Sequence, residues 1–164
     1  MEYQEIPARL EPCLRGCEAL RPVLYIFDAP RKPGLLVVPL APGVEIRVHL
    51  ARRFVNTMLL VLDAWNDQPD APDMLRGFRD ADELGELFAG MPGSRGVVSR
   101  RTVTSHIEDI REAIRGVIAR HHGPEAVARF YVDPFETSPQ RGLGYRIGRN
   151  GLVVERVVCG GRGA

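Results

Sequence analysis

Between Arg100 and Arg111 the chain sets basic and hydroxyl side chains among aliphatic ones: Arg100, Arg101, Thr102, Thr104, Ser105, His106 and Arg111 alternate with Val103, Ile107 and Ile110. Guanidinium groups donate paired N–H bonds to phosphate oxygens and guanine edges, and short hydroxyls reach base edges or phosphates. This is the chemistry of gripping an anion or a base, not of breaking a bond. The constellations that break bonds are missing: the sequence holds no Gly-x-Ser-x-Gly, phosphate loop or His-Glu-x-x-His, so no enzyme is expected. Cys13 and Cys17 have a spacing open to two metal ligands, with His121, His122 and Cys159 as recruits. A four-ligand zinc site usually shows two clear pairs, and the second cysteine pair is absent; thiols without metal are the simpler reading, and no cofactor is expected. Asp63, Asp67, Asp70 and Asp73 lack the glycine and terminal carboxylate register of a calcium loop.

The elements that must position these residues follow from hydrophobic period and punctuation. Val23–Phe27, Leu35–Leu40 and Val44–Val48 read as three strands of an antiparallel sheet, separated by proline and glycine. Leu50, Phe54, Thr57, Met58, Val61, Leu62 and Trp65 fall at helical spacing, and the acidic, proline-bearing stretch Asn66–Pro72 ends that helix. Asp80 is a good N-cap, with Glu83 as capping-box partner, for a short helix whose apolar face is Leu84, Leu87 and Phe88. After the turn Gly90–Gly96, Ser99 caps a third helix. Its core stripe is Val103, Ile107, Ile110, Ile114, Val117 and Ile118, and Thr104, Ser105, Glu108, Asp109, Arg111, Glu112 and Arg115 lie on the other faces. Gly123-Pro124 stops the helical pattern, leaving a short segment with Phe130 and Val132. Tyr145–Ile147 and Leu152–Val154, flanking Arg149-Asn150-Gly151, read as a tight hairpin because Asn150 and Gly151 both accept positive φ.

Two blocks about thirty residues apart carry a family likeness: Val103-x-x-His106-Ile107-x-x-Ile110-Arg111 and Arg141-Gly142-x-Gly144-Tyr145-Arg146. In this order they resemble the recognition helix and wing of the DNA-binding domain of OmpR/PhoB-type bacterial response regulators, over residues 35–148. Leu50–Leu62 and Gly77–Phe88 are weaker matches to its first two helices. The resemblance implies an α+β fold: a winged helix-turn-helix with an N-terminal antiparallel β-sheet, three helices and a C-terminal β-hairpin wing. It implies sequence-specific binding of double-stranded DNA and regulation of transcription, the third helix in the major groove and the wing in the minor groove. The DNA-contacting set would be Arg100, Arg101, Thr102, Thr104, Ser105, His106, Arg111 and Arg141. Two copies would occupy tandem or palindromic half-sites as a homodimer, and Gly90–Gly96 would face RNA polymerase or another regulatory protein. The expected division is an N-terminal extension over 1–34, the winged domain over 35–158 and a disordered tail over 159–164.

This chain departs from the family in three places. Glu108 and Asp109 stand where relatives commonly carry basic residues, the approach Glu136–Gln140 is longer by about two residues, and a hairpin beyond Ile147 is atypical. Fewer than 50 residues precede the first helix, too few for a phosphorylated receiver domain, so control by phosphorylation of such a domain is not expected.

Composition sets the outer bounds. The 164 residues carry a net charge of +1, but residues 1–90 hold 10 basic against 14 acidic side chains and residues 91–164 hold 12 against 7. The positive half contains both motif blocks, as phosphate binding requires. Lys32 is the only lysine, a bias that codon usage in a GC-rich genome explains. No apolar run approaches the roughly 20 residues of a membrane span and no signal-peptide pattern opens the chain, so a cytoplasmic protein is expected. The rival readings are a winged helix that binds a basic partner protein through Glu108 and Asp109, and a metal- or ligand-responsive sensor using Cys13 and Cys17.

Overall fold

The computed structural model describes residues 21–28, 32–138, 140, 144–148 and 151–157. The protein is an α+β fold. Its strands are β1 (Val23–Phe27), β2 (Gly34–Ala41), β3 (Val44–Leu50), β4 (Glu136–Thr137), β5 (Tyr145–Arg146) and β6 (Val153–Val157), and its helices are α1 (Arg52–Asp67), α2 (Ala81–Leu87), α3 (Arg100–His122) and α4 (Pro124–Phe130). They fall into two compact units: the described residues within 1–51, 113–131 and 153–164 form one, and those within 52–112 and 132–152 the other. Among the described residues no helix is long and apolar enough to cross a membrane.

The first unit is built on a four-stranded sheet in the order β3-β2-β1-β6. β1, β2 and β3 pair antiparallel, as their alternation and intervening turns predict. Every residue of β1 is buried, the pattern of a strand covered on both faces. β1 belongs to the sheet, as its sequence predicts, and the expected division between residues 34 and 35 falls within the span of β2. The sheet corrects one expectation. The segment after Asn150-Gly151 does not fold back on Tyr145–Ile147. It becomes β6 and pairs parallel to β1, Val23 opposite Val153 through Phe27 opposite Val157. A buried strand with one bare edge leaves its N–H and C=O groups unsatisfied, and a five-residue ladder satisfies them where a local hairpin would not. Val153 and Val157 then pack against the cluster Val23, Tyr25, Phe27, Leu35 and Val37. The same unit contains a fourth helix in place of the expected irregular segment: Gly123 ends α3, and Pro124 opens α4 at a position where its missing N–H costs nothing.

The second unit carries α1, α2, the first half of α3 and the β4–β5 hairpin. α1 buries Phe54, Val55, Thr57, Met58, Leu60, Val61 and Ala64, close to the predicted stripe, while Leu50 belongs to β3. Asp80 caps α2 by accepting from the Asp82 N–H at 2.8 Å. Glu83, read as its capping-box partner, sits 3.5 Å from Arg79 Nε. The chain leaving α2 makes a 3₁₀ turn at Phe88–Gly90 and returns close against it: Val98 N–H donates to Gly85 C=O at 3.0 Å. A Cβ on Gly85 would lie 2.1 Å from Val98 O, so glycine sets how closely α2 and the start of α3 approach.

Candidate nucleic-acid interface

Ser99 caps α3 as predicted, accepting from the Thr102 N–H at 3.1 Å, and its carbonyl accepts from the Val103 N–H. Val103, Ile107, Ile110 and Ile114 are each 1% exposed or less, which fixes the rotation of the helix. Opposite them Arg101, Ser105, Glu108, Asp109 and Glu112 are exposed, as the 3.6-residue period requires.

The predicted residues divide by environment. Arg101 and Ser105 lie open on the outer face. Thr102 is spent on the cap, its hydroxyl 3.1 Å from Ser99 Oγ. Thr104 is half-buried and donates its hydroxyl back to Arg101 C=O at 2.9 Å. Arg100 is held by two aspartates at the start of α2: Nε reaches Asp82 Oδ2 at 3.2 Å, and Nη2 reaches Asp82 Oδ2 at 2.8 Å and Asp80 at 2.9 and 3.0 Å. The hydrogen bond from Arg100 holds the Asp82 carboxyl below its ordinary pKa, and the two aspartates raise that of Arg100. Arg111 is half-buried and turned toward the hairpin, with Nε 2.9 Å from Asp133, Nη2 3.3 Å from Thr137 Oγ1 and Nη1 3.5 Å from Glu108. Arg141 lies outside the described residues, as do Cys13, Cys17 and Cys159.

His106 is turned inward and is 7% exposed. Its ring lies edge-on to Phe54 at 5.7 Å and beside Phe88 at 5.5 Å. Thr57 donates its only hydroxyl hydrogen to Arg53 C=O at 2.9 Å, so its oxygen must accept from His106 Nδ1–H at 3.1 Å. That places a hydrogen on Nδ1. Burial pushes the His106 pKa down, nearby Arg53 pushes it further, and Asp109 opposes both. The reason for the inward turn is spacing: His106 adjoins Ile107 and sits three residues after Val103, on the flank of the buried stripe.

Two arginines that sequence reasoning left without a role hold the hairpin. Arg79 is 2% exposed, donates to Leu60 C=O at 2.7 Å and pairs with Asp67. Its backbone exchanges both bonds with Tyr145, at 2.9 and 3.0 Å, while Tyr145 also pairs with Thr137. Gly144, at φ +81, has its Cβ position 2.1 Å from Arg79 O, so no side chain fits there. Arg146 stacks over Phe78 and Trp65 at 4.3 and 5.7 Å, pairs with Glu136, and donates to the carbonyls of Asp73, Met74 and Arg76. Trp65 Nε1 donates to Ile147 C=O at 2.7 Å. These partners come from stretches up to 82 residues apart, and the only local sign was the run of aromatic and arginine residues from Arg76 to Arg79.

The electrostatics of this surface are mixed. The first turns of α3 offer Arg100 and Arg101, but the exposed side of α2 carries Asp82, Glu83 and Glu86, and α3 continues with Glu108, Asp109 and Glu112. A phosphate would be attracted by Arg101, whose charge no aspartate or glutamate among the described residues pairs, and repelled farther along. His121 and His122, elsewhere in the molecule, line a cleft of about 320 Å³ with Glu45, Ile46 and Arg47; among the described residues no three His, Cys, Asp or Glu side chains come together as metal ligands. Comparison of this chain with protein-family models, with curated proteins and with solved structures finds no match.

Proposed function

We propose that residues 52–112 and 132–152 form a winged helix-turn-helix that binds double-stranded DNA and regulates transcription. The observation that carries this reading is the presentation of α3. Its aliphatic stripe is buried, its first two turns face outward with Arg101 and Ser105, and Arg111 ties the same helix to the β4–β5 hairpin. A helix so held can enter a groove without losing core contacts, and the β4–β5 hairpin serves as the wing. Two copies on adjacent half-sites would supply specificity, and the turn at Gly90–Gly96 would meet the transcription machinery. A mobility-shift titration on random-sequence duplex at several salt concentrations tests it. Binding should weaken with salt, and Arg101→Ala should flatten the slope of log affinity against log salt by about one. Folded protein that binds no duplex at low salt defeats the reading.

A second reading has its own observation, the acidic side chains of α2 and the later turns of α3. On that reading the unit docks a basic protein. Glu108→Gln with Asp109→Asn separates the two: it raises non-specific DNA affinity at low salt if α3 docks in the groove, and abolishes capture of the basic partner if it does not.

A further inference from the structure

The clamp on Arg100 bears on how this unit would read sequence, a role that rests on its binding duplex DNA as proposed. The Nε hydrogen and both Nη2 hydrogens are engaged by Asp80 and Asp82 at 2.8 to 3.2 Å. The clamp is itself anchored, since Asp80 also caps α2 through the Asp82 N–H. Two carboxylates around one guanidinium leave this group of three with a net charge of −1. A phosphate approaching it meets repulsion, whereas an uncharged acceptor such as guanine O6 or N7 meets the N–H dipoles of Nη1, which Asp80 and Asp82 leave unengaged. Arg101, the next residue, is exposed and takes part in no ion pair among the described residues. Adjacent arginines of the same helix turn are thus placed for different tasks. We infer that Asp80 and Asp82 convert Arg100 from a phosphate anchor into a reader of a base edge, held by its Nε–Nη2 side and presenting Nη1 to an acceptor in the groove, while Arg101 remains the phosphate contact.

The test uses the full chain and a preferred duplex selected from a random-sequence library, with a scrambled duplex of equal length as control. Arg100→Ala should lower the preference for the selected duplex by about tenfold or more, concentrated at one base pair, and leave the salt slope unchanged. Arg100→Lys should behave like the alanine variant, because an ammonium cannot be held by one edge and present another. Asp82→Asn, which keeps the side-chain shape, should loosen the clamp, reduce the preference and steepen the salt slope by about one as the freed cation finds a phosphate. A flattened slope with equal weakening on both duplexes for Arg100→Ala would make Arg100 a phosphate anchor and overturn the inference. Unchanged preference and slope in all three variants would reduce the clamp to a staple between α2 and α3, and overturn it equally. Failure of the unaltered protein to bind any duplex removes the DNA reading and this inference together, which sets that outcome apart from the other two.

Discussion

Ile110 is wholly buried on α3, one position before Arg111, which faces the hairpin. Truncation to alanine removes the buried methylenes and leaves a cavity, so Ile110→Ala should cost roughly 2–5 kcal/mol in a denaturant titration. A midpoint within error of the unaltered protein would mean that the stripe is not core, and the outward face assigned to Arg101 and Ser105 would go with it. His106 supplies a pH signature. Its folded pKa lies below the unfolded value of 6.5, so between those two values the unfolded chain binds more protons than the folded one. Stability from this residue is therefore full above about pH 6.5, falls as pH drops below it, and levels off once the depressed folded pKa is passed. Denaturant midpoints measured across this window should show the fall, and His106→Gln should flatten it relative to the parent even if its neutral-pH stability is lower. An identical pH profile in that variant would show that His106 is not the titrating group.

Among elements, the least tolerant junction is the return of the chain past α2. Gly85→Ala places a methyl carbon where Val98 O now lies, 2.1 Å away, and backbone cannot yield as a flexible side chain can. The expected cost is about 1–3 kcal/mol, with α3 displaced from α2 and the proposed DNA binding lost along with the Asp82–Arg100 clamp. Thermal melting and the mobility shift measured together check this, and a variant with unaltered melting and binding would show that the approach relaxes freely. The hairpin is braced differently. It is short, two residues a strand, and an isolated hairpin of that size is not stable in water. Arg79 on one side of Tyr145 and Arg146 between Trp65 and Phe78 provide what the strands lack.

For the whole molecule, the parallel strand β6 closes the edge of β1, and it comes from the far end of the sequence. A chain ended at Leu152 should therefore melt lower and scatter light increasingly with concentration, because an exposed apolar edge strand pairs with other chains. Unchanged melting and no added scatter would show that β1 does not need its partner. At the same scale the charge divides unevenly: basic residues outnumber acidic ones after residue 90, yet the exposed charges of α2 are acidic and those of α3 include Glu108, Asp109 and Glu112 beside its arginines. Net charge by sequence half therefore does not locate a phosphate-binding surface; the pairing of each arginine does.

Sequence alone determined what depends on near neighbours. The strands β1 to β3, the helices α1 to α3, the caps Asp80 and Ser99 and the buried stripe of α3 were legible because period and capping act within a few residues. The fourth helix was hidden by a Gly-Pro pair that ends one helix and begins the next. Tertiary structure alone decided the remainder, for one physical reason: buried polar and backbone groups must be satisfied, and their partners are distant in the chain. It sent Val153–Val157 to β1, turned His106 to Thr57 across 49 residues, and gave Arg100 to Asp82 across 18. Of the residues chosen from sequence for contact, it left Arg101 and Ser105 open, drew Thr102 into the cap, clamped Arg100 and spent Arg111 on the hairpin. A helical wheel ranks residues by facing; only the folded chain shows which of their donors are already taken.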